Sequence, residues 1–281
     1  MIQEEQEEGS VRIRVRFTKT GPLKFIGHLD VMRYFQKAVR RADIPAALSE
    51  GFSPHMIMSF AQPLGVGKTS GGEYFDLDLK DGASFDRDDF VDRLNRQMSP
   101  GIEVLNAAEV PADKKNKGMA LVAAASYMIC FRKGQTDFAN ETDSISRLSE
   151  KIHAYLAQEQ IPVLRKTKKS EEETDIRPWI FDMEACLADE KMQNGDIWNV
   201  EADPVGFRIL VSARSGSNLK PELLIMNFAS YAGLSVPEAS LLIHRINLYG
   251  RQPKAEEDGD LVPLDEIRVV RTDSSVPSSD S

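Results

Sequence analysis

Residues 11–17, VRIRVRF, alternate without a break: Val11, Ile13, Val15 and Phe17 fall on one face and Arg12, Arg14 and Arg16 on the other. That period belongs to a half-buried strand. Thr20–Gly21–Pro22 ends it, and the spacing then predicts a helix from Leu29 to Ala42. Leu29, Met32, Phe35 and Val39 make its apolar face, and Arg33, Lys37, Arg40 and Arg41 form a basic stripe at i, i+4, i+7 and i+8. A short strand at 46–48, the loop 49–55 and an apolar segment 56–61 follow, then a second alternating strand at 73–79, a helix at 86–98 stopped by Pro100–Gly101, and a strand at 102–110. The order β-α-β-β-α-β is that of a ferredoxin-like unit.

The second half repeats the plan. Strands are predicted at 127–132, 163–167, 207–213 and 241–248, with helices at 145–156 and 221–232, the latter opened by Pro221 and closed by Gly233. The expected architecture is α+β, two ferredoxin-like units in tandem over residues 11–112 and 120–252, with an insertion at about 168–204 in the second. An acidic extension, 1–10, precedes them, and a disordered acidic and Ser-rich tail, 253–281, is expected to follow.

Composition narrows the function classes. No apolar run nears the roughly 20 residues that span a bilayer, and the acidic N-terminus has no signal-peptide core, so a cytoplasmic location without membrane contact is expected. Cys130 and Cys186 stand far apart, which disfavours a disulfide framework or structural zinc and cannot supply the three thiolates of an iron–sulfur centre. The net charge of −9 argues against nucleic acid until its distribution is considered. Between Val11 and Phe60 nine Lys and Arg residues face only Asp30, Asp43 and Glu50. Local sign decides whether a polyanion can dock.

Several motifs have competing readings. Gly67–Lys68–Thr69 ends like a P-loop, but Gln62 occupies the position of the first glycine and a strand follows, so a hairpin turn is expected. The strand arginines would face Asp76 and Asp78 across an antiparallel ladder, each pair contributing about 0.2–1 kcal/mol. That accounts for both strands without an RNA-reading sheet, whose stacking aromatics are missing apart from Tyr74. The candidate RNA-binding residues are Lys19, Lys24, Arg33, Lys37, Arg40, Arg41, His55 and Lys68. His28, at the start of the basic helix, is the candidate catalytic acid or base, and no spacing is diagnostic of a metal. His153 and His244 are read as structural.

The runs GPLKFIGHLD, SEGFSPH, SFAQPLGVG and GGEYFDLDL, with the basic helix between the first two, resemble the radical SAM-associated domain-of-unknown-function family. The similarity spans most of Val11–Val110 and continues through 175–178 and 219–223. In bacteria that domain is fused to, or encoded beside, a radical SAM protein with a cobalamin-binding-type domain. The resemblance implies an accessory partner of such an enzyme, with the iron–sulfur cluster and S-adenosylmethionine on the partner and no cofactor on this chain. Neighbourhoods that include ribonuclease G and ribosomal proteins imply an RNA context, tRNA or rRNA, in modification or processing. Two alternatives stand beside this. One is a metal-independent endoribonuclease using His28, resembling the repeat-associated CRISPR endonucleases, although 212–217 holds only one glycine where those have a Gly-rich loop. The other is a protein-interaction adaptor without RNA contact.

Overall fold

In a computed structural model, which describes residues 11–136, 144–166, 171–252 and 259–267, the first alternating run is β1 (Arg12–Lys19). A 3-10 turn, Gly21–Phe25, leads into α1 (His28–Arg41), then β2 (Met58–Phe60), β3 (Thr69–Asp78), α2 (Arg87–Asn95) and β4 (Val104–Val110). Asp86 caps α2 by accepting from the Asp89 amide. After the short α3 (Gly118–Leu121) come β5 (Ala124–Phe131), α4 (Ser144–Leu156), β6 (Pro162–Lys166), β7 (Glu171–Asp175) and β8 (Ile180–Leu187). The short α5 (Glu190–Gln193), β9 (Val205–Ser212), α6 (Pro221–Ala232), β10 (Leu241–Arg251) and β11 (Leu261–Pro263) complete the described elements.

The result is a mixed α+β molecule on one large, mostly antiparallel sheet ordered β4-β1-β3-β10-β5-β9-β8. β2 adds to the far half of β3, and β11 to β10. The two halves meet where His244 and Arg245 of β10 run parallel to Thr69 and Ser70 of β3. Each half buries its own core. Phe17, Phe35, Phe60 and Phe75 interlock between β1, β2, β3 and α1, with ring centroids 4.6–6.3 Å apart. Ile129, Phe207, Leu148, Tyr155 and Phe228 do the same between the second half-sheet and α4 and α6. Among the described residues no helix is long and apolar enough to cross a membrane.

Four expectations need correction. The stretch 46–48 forms only isolated bridges, Ala46 with Leu79 and Leu48 with Met56, and the first half's second strand is β2. The second strand of the second half is β8, not 163–167: β6 leaves the main sheet and pairs with β7 in a separate hairpin. The arginine face of β1 is not solvent-facing. Arg12 and Arg14 pair with Asp78 and Asp76 as the register anticipated, at 2.6 and 2.8 Å, but under a cover made by the segment between the halves and by the chain after β10. Arg14 donates to the carbonyls of Asn116 and Leu264, and Asp76 accepts from the Gly118 amide. Part of the expected tail is therefore ordered: β11 pairs with β10, and Leu264 is fully buried. Residues 1–10, 253–258 and 268–281 of the expected extension and tail lie outside the described residues.

Candidate nucleic-acid interface

α1 begins at Gly27, whose carbonyl accepts from the Asp30 and Val31 amides, and ends where Ala42 closes on Ala38. At about 100° per residue, Leu29, Arg33, Lys37 and Arg40 share an arc of about 80° opposite the buried Val31, Phe35 and Ala38. All four are exposed. Asp30 lies 3.6 Å from Arg33, an exposed i,i+3 contact of little energetic consequence. Arg41, at the flank, donates to the side-chain oxygen and carbonyl of Gln97 at 3.2 and 3.3 Å. Lys37 and Arg40 enter no ion pair among the described residues. On the neighbouring α2, Asp88 and Asp89 pair with Arg87 and Arg93 of their own helix. Leu29, placed by its spacing on the apolar face, instead heads this exposed row.

The remaining candidates divide. Lys19 is 2% exposed and donates to the Ile26 carbonyl at 2.9 Å. Burial holds its amine below the usual value, Glu73 opposing and nearby Arg245 adding to the shift. Lys24 is 4% exposed and donates to the Trp198 carbonyl in the second half. Lys68 pairs with Glu222 of α6 at 2.6 Å, and the Gly67–Lys68 turn leads straight into β3, as a hairpin turn should. Lys24 and Lys68 thus tie the two halves together. His55 is exposed on the loop before β2, where Nδ1 shares a 2.7 Å hydrogen bond with Ser49 Oγ. His55 lines a groove with Arg12, Asp78 and Lys117, on the sheet face that carries the arginines and not the one that α1 covers with Phe35.

His28 stands on the first turn of α1, half-buried, its ring edge-on to Phe60 at 5.1 Å. It shares a small niche with Lys19, Glu73, Phe17 and Pro63. Burial lowers the imidazole pKa, with Glu73 acting against the shift, so the ring is neutral near pH 7. Glu73 is committed elsewhere: Arg245 from β10 donates to both of its oxygens, and also to Gln62. Neutral His28 can accept a proton, but within this niche its charged neighbours already hold partners.

Sequence reasoning passed over Glu73 and Arg245, which form a buried pair between β3 and β10. Register between distant strands carries that pairing, and no local pattern announces it. It also passed over Phe25. That ring belongs to no periodic face and ends a turn, GPLKF, whose Pro22 and Leu23 are apolar too, so nothing local set it apart.

Comparison with known proteins places the chain in a family. Residues 12–221 match the family described as an uncharacterized protein conserved in bacteria (DUF2344), and the chain belongs to it. No curated protein matches the chain. Among solved structures it is similar to an unknown protein from Galdieria sulphuraria, 10% identical, with 84% of this chain and 99% of that chain covered and a TM-score of 0.24.

Proposed function

We propose that the protein is an accessory RNA-binding module, two ferredoxin-like units in tandem, acting in the cytoplasm beside a separate radical SAM enzyme in RNA modification or processing. One observation carries the RNA reading: α1 presents Arg33, Lys37 and Arg40 in one exposed row, in which, among the described residues, only Arg33 has an ion-pair partner, the exposed Asp30 at 3.6 Å. An exposed row of cations is the electrostatic footprint of a site for a phosphate backbone. The strand order supports the tandem reading, since β4-β1-β3-β2 and β10-β5-β9-β8 both place the fourth strand beside the first and the third beside the second. The radical SAM partner rests on the resemblance of GPLKFIGHLD and GGEYFDLDL, and two cysteines leave the cluster and S-adenosylmethionine to that partner.

A second reading, an endoribonuclease using His28, draws on the niche, where a neutral imidazole lies beside Lys19 and Glu73. The test is recovery of the tagged full-length protein from its own host, with bound RNA and protein both sequenced, followed by incubation of labelled transcripts without metal at pH 5–9. The module reading expects tRNA or rRNA together with a radical SAM protein, and intact transcripts. Recovery of the protein partner without RNA would leave an adaptor. Cleavage that is lost in His28→Ala would make it a nuclease.

A further inference from the structure

The row on α1 does not begin with a cation. Leu29 heads it, 58% exposed, and Phe25 (65%), on the turn just before α1, and Val66 (61%) are exposed as well. Phe25 and Val66 come from two turns held together, because the Gly67 amide donates to the Lys24 carbonyl at 2.8 Å, and Leu29 follows on the first turn of α1. Phe25 is the more fixed for it: the buried Lys24 ammonium sits 5.1 Å from its ring centroid and donates to the Trp198 carbonyl. A rigidly based aromatic ring left to solvent thus stands at the N-terminal end of a line of cations. From Arg33 to Arg40 that line is about 10 Å long, at 1.5 Å per residue.

Resting on the RNA reading above, we propose that this surface takes single-stranded RNA, with one base stacked on Phe25 against Leu29 and Val66 and the phosphates that follow lying along Arg33, Lys37 and Arg40. The chemistry selects a single strand over a duplex. Phosphates alone would be served by the cations, whereas an exposed phenyl ring offers a face to an unpaired base, which a duplex keeps inside its stack. A single helix also supplies one track of charge, about as wide as one backbone. A folded acidic protein segment is the competing occupant, and it would need the apolar residues to extend along the helix. They stop at Leu29, where the cations begin.

The test is fluorescence anisotropy at low salt with a labelled 12-nucleotide oligoribonucleotide and with the duplex of the same sequence. The full-length wild type, Phe25→Ala, Phe25→Trp and Arg33→Glu are compared. Phe25 is exposed and fills no core, so its variants are expected to fold, which their circular dichroism checks. The expected result is a loss of about 5- to 150-fold in single-strand affinity for Phe25→Ala, the range of one stacked base. Binding should be retained in Phe25→Trp, whose indole emission should be quenched by the oligonucleotide. The weaker duplex binding should not change. If Phe25→Ala binds both forms as wild type does while Arg33→Glu weakens both, the stacking assignment is overturned and the cationic surface stands. If wild type binds neither form, both readings fall. Unchanged RNA affinity, with loss of a co-purifying protein in Phe25→Ala, would assign the patch to protein docking and overturn the proposal.

Discussion

Arg14 shows how much the setting of one residue changes its meaning. As part of an exposed ladder, its pair with Asp76 would contribute less than about 1 kcal/mol. Beneath the Asn116 and Leu264 carbonyls the pair is buried, and removal of one partner leaves an uncompensated charge. Arg14→Ala is therefore expected to cost about 3–5 kcal/mol in urea unfolding, and a loss below 1 kcal/mol would mean that the cover opens readily. The alternation of VRIRVRF and EYFDLDL made the pairing legible; that the charged face would be roofed over was not, because the roof comes from residues about 100 and 250 positions away. His244 gives a second test. Burial lowers its pKa to about 4, with Asp189 opposing, and Nδ1 is 2.9 Å from Thr69 Oγ1. The unfolded ring takes up a proton below about 6.5, while the folded ring remains neutral down to about 4. Stability should accordingly fall as pH drops across that interval, by on the order of 3 kcal/mol. His244→Asn should lose less between pH 6.5 and 4 than wild type does, and equal losses would count against a buried neutral ring.

At the scale of elements, α1, α2, β1 and β3 were legible because each carries a period its own residues complete. The second strand of the second half was not. The 163–167 stretch has the composition of a strand and is one, yet its partner is β7, and the place in the main sheet goes to β8. β strands are chosen by non-local pairing, which a local pattern does not encode. The GG of GGEYFDLDL reads as the end of the turn that leads into the strand, and in the fold it lies within β3, at the β3–β10 junction. A Cβ on Gly72 would meet the Ile246 carbonyl oxygen at 2.8 Å, Asn247 Cα at 2.9 Å and the Asn247 side-chain oxygen. Two of those atoms are backbone and cannot move aside without shifting β10. Gly72→Ala should destabilise by at least about 1–3 kcal/mol. A thermal midpoint equal to wild type would show that the two strands are not in this close register.

Across the whole molecule, residues that resemble a ligand site turn out to hold the halves together. Lys24 reaches the Trp198 carbonyl, Lys68 reaches Glu222, and Arg245 reaches Glu73 and Gln62. Lys68→Ala, at a half-buried pair, should lower stability by more than the exposed Arg33→Ala does, while Arg33→Ala should weaken RNA binding by more than Lys68→Ala. The reverse ranking in either assay would return Lys68 to the binding surface. The row on α1 faces outward, and its Lys37 and Arg40 enter no ion pair among the described residues, in a chain whose net charge is −9. Single-stranded binding governed by that row should weaken with salt at a slope of about −0.7 in log K per log salt for each phosphate neutralised. The most direct measurement is this slope for wild type and for Arg33→Glu combined with Arg40→Glu, with folding checked by circular dichroism. The account predicts at least about tenfold weaker binding at low salt in the double variant and a slope shallower by about 1.4 or more. Equal affinity and equal slope for the two folded proteins would contradict it.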